Sequence, residues 1–574
     1  MNRWITDTPL SKRFSLYTRA NADEVGPDPF SPLGWSLVWQ QGCIPGVAQG
    51  FVDFGVCDYS EYDLDPPQMF ANFGGYFYNP LSLSRVMGER MPGASAAMMD
   101  AAYFGDHPGV PPYVPHPEDD NEVQAAKLAD TMGWVMTTDS YPKQHAAAAM
   151  ARDVVAKRPN FAAMTNDELV QYARSIPPLV REAWEPYTVV CLGCALGPGA
   201  VQAICAAVGR PEDAAKVLSA VGSVESAEAS FAMWDLSRLV KNSPALSAAF
   251  DAGVDGLLDR LAGMPEASEF LAKWATLIAE HGHRGTNEWD TRQDSWTTRP
   301  TIPLGMINRL RNQSDDRSPH LAREKNSAER ERLLAELSEL LKDDAESLGT
   351  LQAGMHSAAN WVGWREQGKN ACIRLIHEVK LAMYELGQRS VDAGHIATKQ
   401  QIFNLLDNEL DQFLADPGSL VGLIAEREVD FQLLHTLEPP YIVGQSEVPP
   451  VSAWAPRHGE KLPQAQVGDV LQGGPGSPGV VTGRARIVLD PMQAPDMDPG
   501  DILVAPTTDP SWAPLFLSVA GIVVNVGAIS SHAAIVSREL GIPCAVSVLR
   551  ATDRIAEGSL ITMDGSTGTV TILG

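Results

Sequence analysis

The sequence predicts a multidomain α+β chain: a large, mostly helical region followed by a small C-terminal domain of strands around one or two helices. Three observations carry this. At roughly 100 to 200 residues per domain, 574 residues allow several buried cores. A content of 44% apolar and 20% charged residues is that of packed globular domains. The texture also changes twice, from Pro, Gly and aromatic-rich to helical periodicity and then, past a Pro/Gly break, to β-branched runs.

Residues 1–120 read as loop-rich with short strands and helices, and their aromatic set Phe70, Phe73, Tyr76, Phe77 and Tyr78 is a candidate stacking surface. From 121 to 270, Ala- and Leu-rich segments repeat at helical spacing. Residues 318–348, with Leu333, Leu334, Leu337, Leu340 and Leu341 among Glu, Lys and Arg, predict one amphipathic helix, and a further helical block is expected over 351–414. The first region therefore spans 1–440. Residues 441–475 have no helical period and read as a Pro/Gly-rich linker. The last domain, 476–574, has β-branched runs at 480–481, 487–488, 502–504, 522–526, 560–563 and 569–573, with one clear helix at 532–540.

With 44 basic and 71 acidic side chains, a formal charge of −27 argues against nucleic acid or an anionic membrane as partner. No window approaches about 18 to 20 uninterrupted apolar residues and the N-terminus lacks a secretory apolar core, so the expected location is cytoplasmic. Seven scattered cysteines do not read as a disulfide framework. Cys191 and Cys194 have zinc-like spacing without a second pair, so no metal site is expected.

The segment GAISSHAAIVSRELGIPC, residues 527–544, carries the most chemistry. A strand meets a Gly turn, two serines that can cap a helix, and then His532 in the first helical turn. Unpaired amides and the helix dipole favour an anion there, so a phosphoryl group on His532 would sit in a stabilising field. The segment resembles the phosphohistidine domain of the phosphoenolpyruvate-utilising enzymes, through Gly527, Ser531, His532, Ala533, Ala534, Arg538, Gly541, Ile542 and Pro543. Ala528, Ser530 and Ser537 depart from the motif while Ser530 keeps a hydroxyl. Residues 477–488 and 500–516 resemble the same domain. The resemblance implies a β/β/α swivelling fold, a transiently phosphorylated His532, and phosphate contacts from Ser530, Ser531 and Arg538.

Residues 17–35 resemble the start of the acceptor-binding domain of rifampicin phosphotransferases, through Thr18, Asn21, Glu24, Val25, Pro27, Pro29, Pro32, Leu33 and Trp35. The stretch 280–290 is similar to that family's Gly-His-Arg-Gly-x-x-Glu island, through Gly282, His283, Arg284, Gly285 and Glu288. Residues 364–374 resemble its Arg-Glu-x-x-Lys helix, through Arg365, Glu366 and Lys369. The spacing of Arg365 and Lys369 puts two cations on one helical face, where they repel unless an anion lies between them. The resemblance implies that Arg365, Lys369 and Arg284 stabilise a phosphoryl group, that His283, Glu366 or Glu288 takes the acceptor's proton, and that Arg19, Asn21 and Glu24 bind substrate or phosphate.

Only 42 residues follow His532, too few for the pyruvate-binding barrel of other members. No Gly-x-x-x-x-Gly-Lys-Ser/Thr phosphate loop is present, and the nucleotide-binding ATP-grasp domain is expected to lie on another chain. Phenylphosphate synthases, which resemble this organisation, divide these tasks among chains. They imply a dikinase subunit with a separate ATP-grasp partner that binds Mg-ATP, no tightly bound cofactor on this chain, and a small phenolic acceptor of phenol or hydroxyacetophenone type. The products expected are AMP, phosphate and the phosphorylated acceptor. The alternatives are a condensation ligase resembling the prodigiosin type and a non-catalytic phosphocarrier.

Overall fold

Gly74 and Gly75, both at positive φ, close the two-residue turn of a hairpin that registers Phe73 against Tyr76. This hairpin belongs to an antiparallel sheet ordered Ala71–Phe73, Tyr76–Pro80, Leu16–Thr18, Ile442–Gly444. The computed structural model describes residues 4–67, 69–104, 109–221, 225–444, 447–457, 462–491, 494–495, 497–509, 512–527 and 531–574. They form two compact units: Met1–Cys194 with Asn287–Gln293 and Gln367–Glu460, and Ala195–Thr286 with Asp294–Glu366 and Lys461–Gly574.

In the first unit the Pro177–Gly193 helix packs against the π-helical segment Gly34–Cys43 and the helix Ile44–Phe54 that continues it. A glycine every four residues makes this possible. A Cβ on Gly42 would stand 2.8 Å from the Pro177 carbonyl oxygen, one on Gly46 2.6 Å from that of Arg181, and one on Gly50 2.7 Å from that of Glu185. The helical stretch Asn166–Ala207 is long and apolar enough to cross a membrane by length and composition, with a mean hydropathy of 1.8 in its most apolar window. It consists of three helices, and the middle one buries Val180, Ala183, Trp184, Tyr187, Val189 and Val190.

The helix expected over 318–348 is two. Pro319–Leu340 ends in a turn, and Asp344 accepts from the Ser347 amide at 3.1 Å to start the helix Ala345–Asp392. That helix stops before Gly394, whose φ of 77° leaves the right-handed helical region. Beyond it, 3-10 turns and the short helix Leu410–Ala415 replace the continuous block expected to 414. The division between units falls inside the Ala345–Asp392 helix, after Glu366.

The second unit contains an eight-stranded sheet ordered Val470–Gln472, Thr569–Ile572, Leu560–Asp564, Val480–Ile487, Ile502–Ala505, Gly521–Val524, Cys544–Val546, Gly474–Ser477. The stretch read as a linker thus contributes Ile442–Gly444 to the first unit's sheet and Val470–Gln472 to this one. Four neighbouring strands, from Val480–Ile487 to Cys544–Val546, are parallel, and the last three are buried on both faces. Alternation divides their side chains. Leu503, Ala505, Ile522, Val524 and Val546 join Trp234, Trp274 and Ile307 from the helices and Trp296 from a turn in one core, while Ile502, Val504, Val523 and Ala545 join Ile561, Met563 and Val570 in a second.

Candidate functional site

The adjacent parallel strands Ile502–Ala505 and Gly521–Val524 end side by side, Ala505 against Val524. Ile502–Ala505 leads to Thr508, and Gly521–Val524 leads through residues 525–531 to the helix His532–Leu540. The observed helix has the bounds its sequence predicts. Ser531 caps it from an extended backbone, accepting from the Ala534 amide at 3.4 Å, and Gly541, at φ 67°, closes it with a left-handed turn. The capping hydroxyl still has a proton to donate.

His532 lies in the first turn of this helix. Its Nδ1 is 3.3 Å from the Thr508 hydroxyl, and its ring lies 6.1 Å from the Phe516 ring, while Nε2 is shielded from solvent. With Nδ1 carrying the proton toward Thr508, Nε2 presents its lone pair. Thr508 and Phe516 lie within or next to the stretch matched by motif, yet neither was singled out, because a hydroxyl in a loop carries no pattern of its own. Ser530 falls outside the described residues. Arg538, nearly two turns along the helix, donates from Nε to the Gly476 carbonyl at 2.9 Å, and burial lowers its guanidinium pKa to about 10.

In the same unit His283 and Arg284 are buried in the turn after the Ser268–His281 helix. The Trp296 amide donates to the Arg284 carbonyl at 2.8 Å and the Thr297 amide to that of Gly282 at 2.9 Å, which holds the turn. A side chain on Gly285 would run into the Asp294 carbonyl, so only glycine fits. Arg365 is partly exposed, and its Nη1 lies 3.6 Å from the buried Glu366 carboxylate.

The first unit joins two other predicted residues. Lys369 Nζ is 2.9 Å from Glu288 Oε1, and the carboxylate side chain is only 2% exposed. Lys369 thus already faces an anion, the Glu288 carboxylate, whereas the resemblance implies a phosphoryl group beside it. Next in sequence, Trp289 lies 5.1 Å from Trp184 and 6.4 Å from Tyr187, while its carbonyl accepts from Trp39 Nε1 at 3.1 Å. Asp290 accepts from the Ser31 hydroxyl at 2.6 Å, and burial raises its pKa against that bond and the Arg292 charge. Arg292 is anchored by Asn404 at 2.7 Å and Glu428 at 2.8 Å.

The expected aromatic surface divides by strand alternation. Phe77, with Phe70, packs against Trp39, whereas Phe73, Tyr76 and Tyr78 belong to the core around Trp454. Trp184, Tyr187 and Trp289 were missed because they come from segments about a hundred residues apart. Arg19 is 1% exposed and its guanidinium holds Asp23 and the Phe77 and Gly26 carbonyls, so it braces this fold. Asn21 takes φ 60° before the short helix Ala22–Val25, which carries Glu24. Among the described residues no group of three or more His, Cys, Asp or Glu is placed to hold a metal ion.

Residues 497–568 match the family described as the PEP-utilising enzyme mobile domain. The C-terminal part of the chain is thus similar to the mobile domain of the PEP-utilising enzymes. His532 and Thr508 lie within this mobile domain, and Val470–Gln472 to Val480–Ile487 extend its sheet before the matched residues begin. Residues 190–366 match the rifampicin phosphotransferase fourth domain, a segment containing His283, Arg284, Glu288, Arg365 and Glu366. A rifampicin phosphotransferase of Streptomyces sviceus is 31% identical over 62% of this chain and 40% of its own length. One of Bacillus subtilis is 30% identical over 55% of this chain and 36% of its own. An uncharacterised protein of Mycobacterium tuberculosis is 26% identical over 99% of this chain and 62% of its own. The chain therefore spans well under half of the two named phosphotransferases.

Proposed function

We propose that this chain passes a phosphoryl group from His532 to the hydroxyl of a small aromatic acceptor, of phenol or hydroxyacetophenone type, held in the unit that contains Glu288 and Lys369. In this reading a separate ATP-grasp subunit binds Mg-ATP and charges Nε2 of His532, releasing AMP and phosphate with the uptake of one water. The acceptor oxygen then attacks phosphorus as the N–P bond breaks, and the hydroxyl proton passes to a carboxylate. Glu288 is the candidate, with Lys369 compensating its charge. Arg365 offers positive charge to the phosphoryl oxygens.

The observation that carries the reading is the placement of His532: a helix N-terminus for the anion, a Ser531 cap, and a Thr508 hydroxyl at Nδ1 that orients the ring with Nε2 as the nucleophile. The matched families and the relatives named above support phosphoryl transfer, and the Trp184, Tyr187 and Trp289 rings support an aromatic acceptor. Because Nε2 is shielded, the reading requires the mobile domain to turn away from the helices it packs on before it is charged.

The test is to incubate the chain with an ATP-grasp protein encoded beside it, radiolabelled ATP and a panel of phenols. An acid-labile label on the wild-type chain, lost when phenol or 4-hydroxyacetophenone is added, is the expected result. Full product formation by His532→Ala would overturn it.

A further inference from the structure

Gln144, on the Pro142–Ala156 helix, has no exposed surface, and neither end of its amide has a hydrogen-bond partner. An amide in that state forfeits its bonds to water and gains none in return. Its place is set by Gly368 of the long helix. A Cβ there would stand 3.0 Å and 3.1 Å from Nε2 and Oε1 of Gln144, and 2.6 Å from Cδ2 of Tyr187. Glycine at this point lets the amide and the ring approach the helix backbone together.

Gly368 adjoins Lys369, the partner of Glu288, while Tyr187 leads to Trp184 at 5.0 Å and to Trp289 at 6.4 Å. A proton-accepting carboxylate, flat rings and an unpaired amide are therefore gathered around one turn of helix. Asn287, just before Glu288, repeats the pattern: it is 5% exposed and both ends of its amide are also without partners. A primary amide is neutral and offers both donors and an acceptor, so it matches an uncharged carbonyl or hydroxyl.

We propose that Gln144 is the specificity-determining contact of the acceptor site, reading a second, neutral polar group on an aromatic molecule whose reacting hydroxyl lies at the Glu288–Lys369 pair. The inference rests on the acceptor reading given above. It separates phenol, which has no second polar group, from a ring that also bears a carbonyl. A site that hydrogen-bonds a substituent discriminates against the molecule lacking it, because its own buried group is then left unpaired.

The experiment measures binding of 4-hydroxyacetophenone and of phenol to the full chain by titration calorimetry, for wild type and for Gln144→Met, which keeps the length and removes the amide. Wild type is expected to bind the ketone more tightly. The substitution should weaken the ketone about ten-fold and leave phenol within about two-fold, since one neutral hydrogen bond is at stake. The midpoint of thermal unfolding should hold or rise, because no native hydrogen bond is lost. Unchanged binding of both probes would mean that the amide pairs with an ordered water only, and would overturn the proposal alone. Equal weakening of both probes, or a lower unfolding midpoint, would assign Gln144 a packing role and overturn it too. Failure of the wild type to bind either probe would overturn the acceptor reading together with it.

Discussion

At the scale of the residue, burial decides which charges the protein can keep. Glu539 on the His532 helix is 5% exposed, and burial pushes its carboxyl up to about 7 against the nearby guanidinium groups of Arg323, Arg538 and Arg330 and a backbone bond at Ala220. The neutral acid is the form that the fold favours. Its contribution is complete below the ordinary value of 4.5 and is lost as the pH climbs through about 7. The span is worth about 3 kcal/mol at about 1.4 kcal/mol per unit. Urea unfolding at a series of pH values should show stability falling between about pH 5 and about pH 8, with the fall much reduced in Glu539→Gln; an unchanged slope in that variant would place the titrating group elsewhere. Sequence patterns reached His532 because its chemistry is local, a strand, a turn and a capped helix within a score of residues. They did not reach Gln144, Thr508 or the Trp184, Tyr187 and Trp289 rings, whose meaning comes from neighbours far away in the chain. Arg19 shows the converse: it sits inside a matched motif, yet the structure gives it three bracing contacts.

At the scale of the element, close approach governs the packing of the first unit. Gly42, Gly46 and Gly50 let one helical segment lie on the carbonyls of another, so a branched side chain on this stripe has nowhere to go. Gly46→Val should cost more than about 1 to 3 kcal/mol, the usual range for overpacking, because its Cβ alone would lie 2.6 Å from the Arg181 oxygen. A denaturant midpoint equal to wild type would show that the helices separate freely. Helical periodicity located most helices in the sequence, and β-branched runs located the C-terminal strands. Periodicity did not locate the break at 341–344, since leucines continue at helical spacing through it and the Asp344 cap, not a change of pattern, restarts the helix. Nor did it find the strands in the Pro/Gly-rich stretch, which owe their existence to partners: Leu16–Thr18 for one and Thr569–Ile572 for the other.

At the scale of the whole molecule, the proposed function depends on the mobile domain leaving the helices with which it shares a core. Asn326 on the Pro319–Leu340 helix donates to the Arg538 carbonyl at 2.9 Å, and a Cβ on Gly541 would lie 3.6 Å from that of Ala322, a separation that a disulfide bridges. Ala322→Cys combined with Gly541→Cys should therefore lock the domain when oxidised. Turnover should stop on oxidation and return on reduction; full activity in the oxidised protein would show that transfer needs no such movement.

Whether His532 carries the phosphoryl group is tested by incubating the chain with labelled ATP and the ATP-grasp subunit proposed above, followed by a chase with acceptor. One acid-labile phosphate is expected at His532, absent from His532→Ala and transferred to the acceptor hydroxyl. A label that persists in His532→Ala, or a wild-type label that no hydroxylated aromatic removes, would contradict it.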